Sequence, residues 1–228
     1  MITYSLKSSN IVLLKVISIL CACIVPLIIT GSFLPDLMVS CLSIWFLYYT
    51  LKNKIYYIYK NIYFYFFVGF WIVCIFSSIL SDNIYFSLKS SLFYIRIGIF
   101  SLLIAYLIDQ NKIILDYFYY SFIITFTALI IDGHIQFFSG FNLIGLPLGE
   151  RYRVSSFFGD ELILGSYLSR LSPLFIALFI TRQNKKISEI YFFLILFLGT
   201  YSTILVSGER FSFLFINLAI FFFIFFCI

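Results

Sequence analysis

Residues 150–170 read ERYRVSSFFGDELILGSYLSR, placing Arg151, Arg153 and Arg170 among three acids, Glu150, Asp160 and Glu161. A second charged pair, Glu209–Arg210, follows in the short stretch Ser207–Gly208–Glu209–Arg210. Guanidinium is planar, always charged and able to grip a phosphate or carboxylate with two parallel hydrogen bonds. Arginines in this density suit an anionic substrate. The carboxylates of Asp160 and Glu161 have two readings. They could orient Arg153 or Arg151, or hold a substrate hydroxyl and take its proton, or they could occupy the first turn of a helix, where the dipole favours acids. His134 is the sole histidine. It could serve as a base near neutral pH or as a satisfied structural group. Asp132, two residues earlier, offers a partner for Arg96 or Arg170.

The elements that carry these residues are apolar. Of 228 residues, 63% are hydrophobic, 22% aromatic and 11% charged; mean hydropathy is +1.08. A soluble domain is nearer 25% charged, so most of this chain belongs in lipid. Continuous apolar runs, rather than alternating ones, select helices over a barrel, because each helix satisfies its own backbone in hydrocarbon. We expect an all-α, polytopic transmembrane bundle of about eight spans, near 11–33, 36–51, 62–80, 90–108, 117–137, 161–180, 190–206 and 211–228. Residues 1–228 read as a single membrane domain. The longest connection, about 138–160, holds Gly140, Gly145, Pro147, Gly149 and Gly159 and reads as a loop or re-entrant segment. The five cysteines lie in apolar runs with no CxxC pair, which reads as packing rather than metal or redox chemistry. No nucleotide loop, HExxH, GxSxG or metal cluster occurs, so no cofactor is expected. The net charge of +5 reflects loop lysines rather than nucleic-acid binding.

Basic residues set orientation. One set of connections carries Lys7, Lys52, Lys54, Lys60, Lys112, Arg182, Lys185 and Lys186; the other carries Lys89, Arg151, Arg153 and Arg210. The first set is expected on the cytoplasmic side with both termini, and the 138–160 loop and the 207–210 turn on the far side. Eight of nine lysines then lie at or near the inner face, whereas Arg96, Arg151, Arg153, Arg170 and Arg210 lie in the membrane or beyond it. The positive-inside rule treats the two residue types alike, so it cannot sort them. Arg170 falls near mid-depth of its span, where insertion costs about 2.5–3.5 kcal/mol; Ser166 lies one turn before it, and Pro173 three residues after it can free backbone carbonyls. Arg96 either lines a site or snorkels outward.

Arg153–Val154–Ser155–Ser156–Phe157–Phe158–Gly159–Asp160–Glu161, followed by Leu164–Gly165 and Tyr167–Leu168, resembles the motif that opens a central helix in the O-antigen polymerase and O-antigen ligase family. Ser207–Gly208–Glu209–Arg210 resembles the turn found two spans later in that family. The resemblance covers about residues 150–211. It implies lipopolysaccharide or related polysaccharide biosynthesis by a glycosyltransferase of the bacterial inner membrane, with its site facing the periplasm. A glycan on undecaprenyl diphosphate would pass to an acceptor glycan (polymerase) or to lipid A-core (ligase). Arg153 and Arg210 match motif positions as diphosphate ligands, with Arg170 and Arg151 beside them; Asp160, Glu161 and His134 are the available bases. Family members run to ten or more spans with a large periplasmic loop, so the resemblance implies that this chain is an amino-terminal portion, inactive alone. The competing reading is a transporter or flippase for an anionic or lipid-linked substrate, which would use Arg170 and Asp132 along a path. A third is a structural subunit whose charges only pair.

Overall fold

The computed structural model describes residues 8–149, 152–182 and 185–227. Nine α-helices account for most of them, and no β-strand occurs among the described residues. They are α1 (Ser8–Leu27), α2 (Phe33–Lys52), α3 (Ile62–Ile79), α4 (Ile84–Phe93), α5 (Ile95–Gln110), α6 (Ile113–Ser139), α7 (Leu164–Thr181), α8 (Ile187–Val206) and α9 (Arg210–Cys227). Seven stretches are long and apolar enough to cross a membrane, with α4 and α5 together forming one of them, and α9 is a shorter apolar helix. The chain is therefore an all-α, polytopic bundle. The expected fourth span, 90–108, is longer than anticipated and broken: the apolar stretch runs from Ile84 to Gln110 and divides at Tyr94. The expected sixth span begins at Leu164, not at 161, because the Gly159 turn keeps Asp160 and Glu161 outside the helix.

The described residues form two compact units. The first takes residues up to Ile24 and Ser32–Ile114. Here α2 packs on α5 around Phe46 and Leu103, both fully buried. Polar ties fix the register: the Ser43 hydroxyl donates to the Arg96 carbonyl at 2.8 Å, and the Tyr49 and Tyr106 hydroxyls meet at 3.3 Å. Gly98 lies beneath the Phe67 ring; a Cβ there would fall 2.2 Å from it.

The second unit takes Val25–Gly31 and the residues from Leu115 onward. Its core joins Phe122 and Phe126 of α6, Leu168 and Phe175 of α7, Ile204 of α8 and Ile216 of α9. Phe179 and Phe193 stack with centroids 3.9 Å apart. Lipid tails are as apolar as these side chains, so close packing and polar ties, not exclusion of water, hold the helices together. The Tyr167 hydroxyl donates to the Val25 carbonyl at 2.6 Å, anchoring the end of α1 within this unit.

Candidate functional site

Two polar networks organise the second unit. The first pins residues 140–149 and 152–156 onto α6. Asp132 and Gln136 are fully buried and one helical turn apart. The Asp132 carboxylate accepts from the Leu143 N–H at 2.9 Å and from the Ser156 hydroxyl at 2.5 Å. Gln136 Oε1 accepts from the Ser155 and Ser156 N–H groups at 3.0 and 2.6 Å, and its Nε2 donates to the Pro147 carbonyl at 3.0 Å. Asn142 extends the network, its Oδ1 accepting from the Ile144 and Leu146 N–H groups. Ser156 is thus held at a φ of +54°, a left-handed conformation that costs a non-glycine residue about 1 kcal/mol or more. Fixing this loop is what places Arg153.

The second network centres on Glu209. Oε1 accepts from the Gly165 N–H at 2.9 Å; Oε2 accepts from the Ser166 and Ser212 hydroxyls at 2.6 and 2.7 Å. The first turn of α7 leaves N–H groups unpaired and carries the positive end of the helix dipole, so a carboxylate there is doubly favoured. No side chain of α7's own flank caps it. Gly165 permits the approach: a Cβ would fall 2.4 Å from Ser207 Oγ and 3.1 Å from Glu209 Cδ. Arg153 completes the group. Its Nε donates to the Ser207 carbonyl at 3.0 Å, and its Nη2 lies 4.0 Å from Glu209 Oε1. Its stem lies over Gly208, which has φ +70°. The guanidinium is thereby fixed by one edge while 28% of the side chain stays exposed. Nη1 and Nη2 have no hydrogen-bond acceptor among the described residues.

Of the residues singled out in the sequence, Arg153 and the turn carrying Arg210 are brought together. Arg210 opens α9 directly after Glu209 and is exposed. Arg170 lies on the Ser166 face of α7, one turn deeper, and is exposed. Neither has a hydrogen bond or ion pair with a described residue. Asp160 and Glu161 are exposed in the turn before α7, and neither carboxylate has a described partner. Arg151 lies outside the described residues. Asp132 pairs with neither arginine: its oxygens are taken by the loop, and Arg96 instead binds Asp36 at 2.6 Å. His134 faces away from Asp132, as a two-residue offset on a helix requires. Its Nδ1 lies 2.8 Å from the Ile130 carbonyl and its Nε2 3.1 Å from Ser202 Oγ, tying α6 to α8.

Sequence reading missed Gln136 and the capping role of Glu209. The Asp132-to-Gln136 spacing in an apolar helix was the available signal for the first. For the second, an acid next to a helix start pointed to its own helix, α9, whereas the carboxylate caps another. No protein family, curated protein or solved structure matches the chain.

Proposed function

We propose that the chain is a membrane glycosyltransferase of the O-antigen polymerase or ligase type, passing an undecaprenyl-diphosphate-linked glycan to an acceptor glycan or lipid A-core at the periplasmic face of the inner membrane. The observation that supports this most is the clamped Arg153 guanidinium: one edge is held by the Ser207 carbonyl, and neither terminal nitrogen has a hydrogen-bond acceptor among the described residues. A group held this way can take a diphosphate oxygen pair without reorganising. Arg210 and Arg170, both exposed and without described partners, supply further positive charge. Such charge is what a diphosphate leaving group needs as the bond from sugar C1 to phosphate oxygen breaks.

In this reading the acceptor hydroxyl attacks C1, the lipid diphosphate leaves with the bonding electrons, and the hydroxyl proton passes to a carboxylate. Asp160 and Glu161, without described partners beside the start of α7, are better placed for that proton than His134, whose ring nitrogens already link two helices. The arginines bind and polarise; the carboxylates move the proton.

The test is Arg153→Lys, assayed in the protein's own membranes with lipid-linked glycan as donor. Lysine keeps the charge and loses the fork. Transfer should fall by about 10²-fold, the scale of removing one oxyanion ligand. Unchanged glycan length and amount would refute the assignment. Movement of the lipid-linked glycan across the bilayer without new glycosidic bonds would favour the transporter reading.

A further inference from the structure

A surface-open cavity of about 470 Å³ lies in the first unit, where the α4–α5 stretch breaks, and it plays no part in the transfer proposed above. Lys89, Ser90 and Arg96 line it together with Phe86, Phe93 and Tyr94. From the cavity and its charges we infer a binding site for the headgroup of an anionic phospholipid, with Lys89 and Arg96 on the phosphate diester and the aromatic rings against the glycerol and upper acyl chain.

Depth supports a lipid. The apolar stretch Ile84–Gln110 has 27 residues, where about 20 suffice to cross a hydrocarbon core of about 30 Å. Asp109 and Gln110 set one boundary of the hydrocarbon. About twenty residues back lie Lys89 and Ser90, at headgroup level on the opposite boundary. Tyr94 then lies close to that level, as interfacial tyrosines do.

Charge selects an anion. Arg96 is held in place: its Nη2 donates to Asp36 Oδ2 at 2.6 Å and its Nη1 to Ser40 Oγ at 3.1 Å. Its remaining donors are unassigned among the described residues. Lys89 is exposed and has no described partner. Lys89, Arg96 and Asp36 together leave one positive charge, which a lipid of net charge −1 balances and a zwitterionic lipid does not. A lysine that only snorkels needs no cavity and no tethered arginine beside it.

The experiment is native mass spectrometry of the purified protein in detergent, titrated with short-chain phosphatidylglycerol, phosphatidylcholine or inorganic phosphate. Phosphatidylglycerol should be retained at least about fivefold more tightly than phosphatidylcholine. Lys89→Gln removes an exposed cation with no described hydrogen bond or ion pair, so folding should be unaffected. It should weaken phosphatidylglycerol retention about fivefold, while Lys60→Gln, an exposed lysine that does not line the cavity, should not. Equal retention of the two lipids, or undiminished retention in Lys89→Gln, would overturn the inference. Displacement of phosphatidylglycerol by equimolar inorganic phosphate would overturn it in favour of a free-anion site.

Discussion

Replacing Glu209 by glutamine removes one charge and almost no volume, so it isolates the electrostatic work of the capping network. The side chain is 11% exposed and accepts three hydrogen bonds at 2.6–2.9 Å. A hydrogen bond to a charged group contributes about 1 kcal/mol more than a neutral one, giving about 3 kcal/mol for three. The dipole of α7 adds about 0.5–1 kcal/mol. The Arg153 contact, at 4.0 Å and partly exposed, adds less than about 1 kcal/mol. Against this, a neutral amide is cheaper to hold out of water by about 1–2 kcal/mol. The net loss is about 2 kcal/mol. For a chain of 228 residues the midpoint should fall by about 4–8 °C. Thermal unfolding in detergent reads this directly, with Asp109→Asn, an exposed acid at the end of α5, as the control that should not move. A Glu209→Gln midpoint within about 1 °C of the native protein would refute the argument that this carboxylate holds α7 to α9.

Three further outcomes follow from the same geometry. Gln136→Leu strips the acceptor from two buried N–H groups and should cost about 2–4 kcal/mol, seen as faster proteolytic cleavage within the 140–156 loop; unchanged cleavage would show that Gln136 does not hold the loop. Gly165→Ala drives a methyl against Ser207 Oγ, itself bonded to the Ile204 carbonyl at 2.7 Å, and should destabilise by about 1–3 kcal/mol in the same thermal assay. Arg170→Leu should favour membrane insertion of α7 by about 3 kcal/mol in a glycosylation-mapping assay while lowering glycan transfer; full transfer in that variant would remove Arg170 from the diphosphate site.

The spans were legible because hydrocarbon thickness imposes a length on every apolar run. The break at Tyr94 was not, since no proline or glycine marks it and the residue keeps helical angles of φ −63° and ψ −24°. At the site, the arginines were visible by type, but their ties were not. Asp132 looked like a cation's partner because buried carboxylates usually need one; here a hydroxyl and a backbone N–H satisfy it, and both come from a loop whose path no periodicity encodes. Likewise Asp160 and Glu161 stand where a capping acid is expected, yet the cap arrives from Glu209, forty-four residues beyond Gly165.

The separation of arginine from lysine now has a sharper physical content. Three arginines are tied to other groups inside the protein. Arg96 bridges Asp36 and Ser40, and Arg153 joins the Ser207 carbonyl to Glu209. Arg182 lies between Asp116 and Glu189, 3.2 and 3.9 Å away, over the ring of Tyr119. Burial alone would lower the Arg182 pKa, but the Tyr120 and Tyr119 hydroxyls and the Asp116 carboxylate outweigh burial and raise the pKa above its ordinary value. A lysine in these places would keep the charge but lose the planar guanidinium that reaches both partners. Structural need therefore explains half of the six arginines without any substrate. Arg170 and Arg210 carry no such tie among the described residues, and Arg170 stands in a span where an unpartnered cation is expensive. The case for an anionic ligand accordingly rests on these two residues and on the unfilled edge of Arg153, rather than on the number of arginines.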